Sequence, residues 1–342
     1  MTVTEIKSIL KTEAYDFLRT NPMLNRNVIM LTLGGSHAYG TNVDTSDIDI
    51  RGCALNSKKE ILLGRNFEQF TNDTTDTVIY SFNKLISLLS NVNPNTIELL
   101  GNKPEHYLYL SDIGRELISN SHMFLSKRAI NSFGGYANAQ LRRLSNKAAR
   151  DVSQSEKEMH ILKSIEHASE TFKQEYFNMS TDSINLYIDS AINDELDSEI
   201  FMDIRLDHYP LRDYKCMWAE MNNIVKEYGK IGVRNKKAIE HDKLGKHMMH
   251  LVRLYLMCFD ILEKELIITY REDDHELLMN IRNGMYLDSD KQPTAEFYEL
   301  INDLENRLEY AKKNTSLPDH PNYKLIDEFV ATINERIVRD EL

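Results

Sequence analysis

Cysteine is scarce in this chain. Its 342 residues include three, Cys53, Cys216 and Cys258. They lie far apart and form no CxxC spacing, which argues against a disulfide framework or a structural zinc site and leaves buried small side chains as the plain reading. Long apolar runs are missing too. No stretch approaches the ~18–20 residues needed to span a bilayer. The N-terminal MTVTEIKSILKTEAYDFLR mixes both charge signs and has no apolar signal core. These absences lead to the expectation of a cytoplasmic protein with no membrane partner. Positive charge is in deficit: 41 Lys and Arg against 53 Asp and Glu give a net charge of −12. So acidic a chain is not a general nucleic-acid coat, because non-specific binding rests on neutralising phosphates; a nucleic-acid partner would need a local basic cleft. There is no internal repeat, no low-complexity linker, and no pair of short helices with a basic recognition helix.

What remains is an ordinary globular composition, 42% apolar and 27% charged, in a chain long enough for two domains and a sizeable core. Residues 4–19 place Ile6, Ile9, Leu10, Ala14 and Phe17 near helical spacing. VIMLTL at 28–33 predicts a buried strand ending in Gly34-Gly35. DIDIRGCAL at 47–55 opens with charged and apolar residues in strict alternation, the mark of a half-buried strand. A third strand is predicted at 77–80, running into an apolar helix at 82–90 that stops at the turn around Pro94. This order predicts a small α/β domain. Beyond it the pattern is mostly helical, over 124–150, 155–179, 213–228, 236–265, 272–284, 293–313 and 322–339, interrupted by a hairpin at 184–190 and 199–206. The expected fold class is α+β, with residues 1–118 forming the α/β domain and 119–342 a mostly helical one.

The informative stretch is LGGSHAYGTNVDTSDIDIRG, Leu33–Gly52. Gly34 and Gly35 follow a strand and precede a helix, where glycine permits tight turning and close approach of a phosphate; amide groups at a helix start and the Ser36 hydroxyl favour an anion. By itself this is also an ordinary strand-to-helix turn. Asp47 and Asp49 add the second element. Residues two apart on a strand share a face, and paired carboxylates repel unless solvent or a cation relieves them. Hard Mg²⁺ or Mn²⁺ ions require such oxygens. Arg51, beside the pair, is read as a structural ion-pair partner turned to the other face. His37 is a phosphate contact or a plain turn residue, and Tyr39 a packing aromatic or a base-stacking one.

Gly35-Ser36, ten intervening residues, then Asp47-Ile48-Asp49 resembles the signature of the DNA polymerase beta superfamily. The wording is similar to one branch in particular, the RNA-repair-associated nucleotidyltransferases, at Gly35–Gly40, Ser46–Gly52 and Asn93–Leu100, and further on at Tyr136–Leu144, Lys246–Leu254, Ile281–Gly284 and Leu317-Pro318. The resemblance implies a polymerase-beta-type α/β domain in which Asp47, Asp49 and a third acid ligate two Mg²⁺ or Mn²⁺ ions and Gly35 and Ser36 hold the triphosphate of an NTP. Asp76 is the candidate third acid, with Asp73 the alternative; Glu98 is read as a helix-end or packing residue. The implied reaction moves a nucleoside monophosphate from an NTP to a hydroxyl and releases pyrophosphate.

Two helix faces carry basic charge. At 100° per residue, Lys243, Lys246, His250 and Arg253 fall within about 80° of one another on an otherwise apolar, and therefore buried, helix. Lys246, His250 and Arg253 either meet nucleotide or nucleic-acid phosphate or pair with acids such as Asp273, Asp274 or Glu276. Phe133, Tyr136, Gln140, Arg143 and Lys147 share another face; Tyr136, Gln140 and Arg143 are nucleotide-binding candidates, and a solvated face is the rival. The expected function is a metal-dependent nucleotidyltransferase acting on an RNA end. The rivals are nucleotidylation of a protein or a small molecule, and a nucleotide-binding scaffold without catalysis.

Overall fold

A computed structural model describes residues 2–134, 137, 162, 184–190, 192, 198–229, 244–289 and 293–341. In chain order it opens with α1 (Val3–Ile9), α2 (Phe17–Thr20), β1 (Val28–Leu33), α3 (Gly35–Tyr39), β2 (Ile50–Ala54), α4 (Lys58–Leu62), β3 (Gln69–Asn72) and β4 (Thr77–Ser81). Then come α5 (Phe82–Ser90), α6 (Pro94–Ile97), β5 (Tyr107–Leu110) and α7 (Asp112–Ser119). The five strands form one mixed sheet in the order β3-β4-β2-β1-β5. β1 pairs antiparallel with β2 and β5, β3 antiparallel with β4, and β2 parallel with β4. The chain is α+β, as expected.

β1 is buried along its whole length, because both faces of the sheet are covered. On one side Ile29, Met30 and Cys53 meet α5, the helix Leu244–Lys264 and the helix Tyr323–Val338. On the other, Val28, Leu31, Ile50 and Ile79 pack with Tyr15 and Leu24 of the N-terminal segment. A central strand buried on both faces reads as a continuous apolar run rather than an alternating one, which is what VIMLTL is.

The predicted helix 4–19 is broken into α1, a single 3-10 turn at Glu13–Tyr15, and α2. Thr12 causes the break. Its backbone is extended and its hydroxyl donates to the Ile9 carbonyl (2.7 Å), a local side-chain bond that competes with the helical ladder. The Arg19 guanidinium then takes up the carbonyls of Leu10 and Thr12. The strand predicted over 47–55 begins only at Ile50. One bond more, from Gly34 N–H to the Asp49 carbonyl (2.9 Å), extends its pairing with β1; α3 then turns away, so Asp47 and Ile48 have no ladder partner there.

The chain divides into two compact units. One comprises Met1–Ala139, Met248–Tyr286 and Thr294–Leu342; the other comprises Gln140–His247 and Leu287–Pro293. The first holds the sheet and the helices His275–Arg282, Ala295–Asn314 and Tyr323–Val338. The second holds the antiparallel hairpin β6 (Ile184–Ser190) with β7 (Ser198–Ile204), in which Tyr187 stacks on Phe201, and the helix Leu211–Gly229. Among the described residues no helix is long and apolar enough to cross a membrane.

Candidate active site

The site begins at the end of β1. Gly34 is extended and Gly35 has φ +55°, left-handed backbone that favours glycine. Space matters more than conformation here. A Cβ on Gly35 would sit 1.9 Å from an Asp49 carboxylate oxygen, and one on Gly34 would meet the Arg51 side chain at 2.9 Å. The Gly-Gly pair therefore lets the acid segment lie directly against the turn. α3 follows and closes on Gly40, which is left-handed (φ 76°) and donates to the Ser36 carbonyl. Ser36 and His37 are buried within it. Burial holds the His37 imidazole below its ordinary pKa, against the opposing pull of a hydrogen bond with the Ser46 backbone.

The acid segment arrives from the loop after Gly40. Arg282 holds that loop, donating to the Thr41 carbonyl (2.8 Å) and to the Ser46 hydroxyl (3.4 Å), while Ser46 accepts from Val43 N–H. Asp47 is exposed and Asp49 half-buried. Asp76 immediately precedes β4. Because β2 and β4 are parallel, with Ile50 opposite Thr77, Asp49 and Asp76 end up side by side at the same end of these two inner strands. Ile50 N–H donates to the Asp76 carbonyl (3.0 Å), and Asp76 takes a left-handed backbone, φ 42°, which aspartate tolerates better than most residues. Asp73 lies in the β3–β4 turn and is exposed.

Arg51 lies between these acids. One terminal nitrogen is 3.0 Å from an oxygen of Asp49 and 3.0 Å from an oxygen of Asp76, so the two oxygens are separated by no more than twice that distance. Arg51 is thus an ion-pair partner, but the expectation that it faces away from the acids is wrong: residues 49 and 51 are two apart and share a face. Two carboxylates gathered around one cation form the oxygen set that a hard divalent ion takes. Among the described residues, no three acidic, histidine or cysteine side chains converge into a ready-made metal site.

Behind α3 lies a second, buried assembly. The Tyr39 hydroxyl donates to Glu98 (2.9 Å), Glu98 pairs with Arg253 at 3.1 Å, and the Arg253 guanidinium sits 3.7 Å from the centre of the Tyr39 ring. Thr269 donates to the Glu98 carbonyl, and Arg271 N–H donates to the Tyr39 carbonyl (3.0 Å). Burial pushes the Tyr39 phenol far up, so it stays protonated. Arg253 therefore does not fit the nucleotide-contacting role expected for it. It is 4% exposed, and its guanidinium is engaged by Glu98 and Tyr39, neither of them among the acids expected to pair with it. His250 is half-buried with its ring edge-on to Tyr39 at 6.1 Å. Lys246 is exposed and falls within the second unit. Tyr136, Gln140 and Arg143, with Lys147 and Lys243, lie outside the described residues.

The sequence reading missed the Arg282 clamp and the Glu98–Arg253 pair. Arg282 falls inside the quoted Ile281–Gly284 stretch, which was a signal without an assigned role. The partners of the buried pair are 155 positions apart, and no local pattern links them.

A family model described as RlaP, the RNA repair pathway DNA polymerase beta family, matches residues 11–332. No curated protein and no solved structure matches the chain.

Proposed function

Since the chain belongs to the RNA repair pathway DNA polymerase beta family, we propose that it is a nucleotidyltransferase that moves a nucleoside monophosphate from an NTP to a hydroxyl on an RNA end, with release of pyrophosphate. The observation that carries this reading is the meeting of Asp49 and Asp76 across the parallel β2–β4 pair, with Gly35 pressed against Asp49.

In this reading Gly35 and Ser36 take the triphosphate, the bare backbone of Gly35 allowing the closest approach. Asp47, Asp49 and Asp76 would hold Mg²⁺ or Mn²⁺; their carboxylate oxygens are the donors these hard cations select. When bound, such ions neutralise phosphate charge and favour ionisation of the attacking hydroxyl. Asp76, in the turn that leads into β4, orients that hydroxyl or accepts its proton. Arg282 fixes the loop that delivers Asp47, and the Tyr39–Glu98–Arg253 assembly fixes α3 from behind, so their contribution is positioning rather than contact with the reacting atoms. Lys246 is exposed and available to an anionic partner.

The test is incubation with each α-labelled NTP and Mg²⁺ or Mn²⁺ against RNA and protein together, followed by nuclease or protease digestion. Label in nuclease-sensitive material, lost in Asp47→Asn and Asp49→Asn variants that keep their fold, is the expected outcome. Label in protease-sensitive material would move the acceptor to a protein. No label with any NTP would overturn the enzymatic reading.

A further inference from the structure

The Arg51 guanidinium makes two kinds of contact from its two terminal nitrogens. One nitrogen donates to backbone carbonyls, those of Asp76 (2.6 Å) and Ile50 (3.0 Å). The other touches only carboxylates, those of Asp49 and Asp76, each at 3.0 Å. The first set is an anchor: it holds the left-handed turn at Asp76 against the start of β2. The second set lies in the gap between the acids to which a divalent cation would bind. Arg51 and its partners are not deeply buried, with side chains 22%, 21% and 51% exposed, and ion pairs this accessible to water contribute little to stability and exchange readily. A buried pair in the same place could not open without a large penalty.

We propose that Arg51 is the resident counter-cation of this site. It neutralises Asp49 and Asp76 and keeps them adjacent in the metal-free protein, and it gives up its carboxylate contacts, while keeping its backbone anchor, when a divalent ion binds. This rests on the reading of Asp49 and Asp76 as metal ligands given above. Without a cation the two acids would repel and spread, so the guanidinium preserves the spacing of the pair. The same guanidinium must be displaced before both acids can serve the metal. Arg51 and the metal are therefore competitors, and coupling between competitors at one site has a definite sign.

Mn²⁺ binding without nucleotide, followed by calorimetry and by electron paramagnetic resonance, reads that sign. Arg51→Gln is expected to bind Mn²⁺ more tightly than the natural chain, by about fivefold or more. Arg51→Lys keeps the competing charge but not the forked backbone contacts, so it is expected to bind Mn²⁺ no more tightly than the natural chain. Weaker or unchanged binding by Arg51→Gln would overturn the proposal, since a residue that only templates the acids would lose affinity when removed. Should Arg51→Gln fail to fold, the unsubstituted chain gives the answer: modification of Arg51 by an arginine-selective dicarbonyl, read by mass spectrometry, is expected to rise when Mg²⁺ is added. Protection of Arg51 by Mg²⁺, or no change, would overturn the proposal. Asp49→Asn in the same titration separates the two readings, because Mn²⁺ binding that ignores this substitution would refute the metal site itself.

Discussion

Single atoms decide whether the site can form. The Gly35 Cα lies so close to the Asp49 carboxylate that one added methyl would overlap it, and a positive φ adds conformational cost to the steric one. Gly35→Ala is therefore expected to displace the acid segment and lower nucleotide incorporation by on the order of a hundredfold, the usual result of a misplacement near 1 Å. A circular dichroism melt close to that of the natural chain would show that the loss is local. Full activity in this variant would mean that Asp49 does not need to lie against the turn. Sequence spacing made Asp47 and Asp49 legible at this scale. It favoured Asp76 but kept Asp73 as the alternative, because both fall in one polar turn; the parallel register of β2 and β4 puts Asp76 beside Asp49. Nor could it pair Arg253 with Glu98.

Between elements, the Glu98–Arg253 ion pair ties the turn after α6 to the helix Leu244–Lys264. The two side chains are 7% and 5% exposed. Removing one member leaves an unpaired charge in the core, so Arg253→Met and Glu98→Gln are each expected to destabilise the fold by about 3–5 kcal/mol in denaturant unfolding. The double substitution should recover part of that loss, which a double-mutant cycle would measure. A cost below about 1 kcal/mol for both single variants would contradict this role. Elements with a strong local signal were read well. Helix α5 occupies 82–90, bounded by a Ser81 cap and a turn before Pro94, and the hairpin expected at 184–190 and 199–206 is found at Ile184–Ser190 and Ser198–Ile204. α4 was missed although Ser57 and Glu60 form a capping box visible in the sequence. β3 and β5 were missed because they are four-residue edge strands, too short for a period to show.

Across the whole molecule, burial of histidine links stability to pH. His37 and His106 both have their pKa lowered, chiefly by burial. For each, the unfolded chain binds a proton at a higher pH than the folded chain does. The stability they contribute is fully present above the unfolded value, about 6.5, and is lost as pH falls through it towards the lower folded values. The melting temperature is expected to fall on acidification from pH 7 to 5.5, with a shallower slope in a His106→Asn variant. An unchanged slope in that variant would show that His106 does not carry the effect.

The first compact unit is assembled from three separated stretches of chain, the last of them Thr294–Leu342. Phe329 and Ile333 of its terminal helix close the same cluster as Phe82 and Leu89 of α5, with the Phe82 and Phe329 rings 6.1 Å apart. A chain still emerging from the ribosome therefore carries every candidate acid long before it can complete the core beneath them. Protein synthesis and the competence of the site are coupled by this topology, and a prematurely released fragment would carry the signature residues without a finished scaffold to aim them.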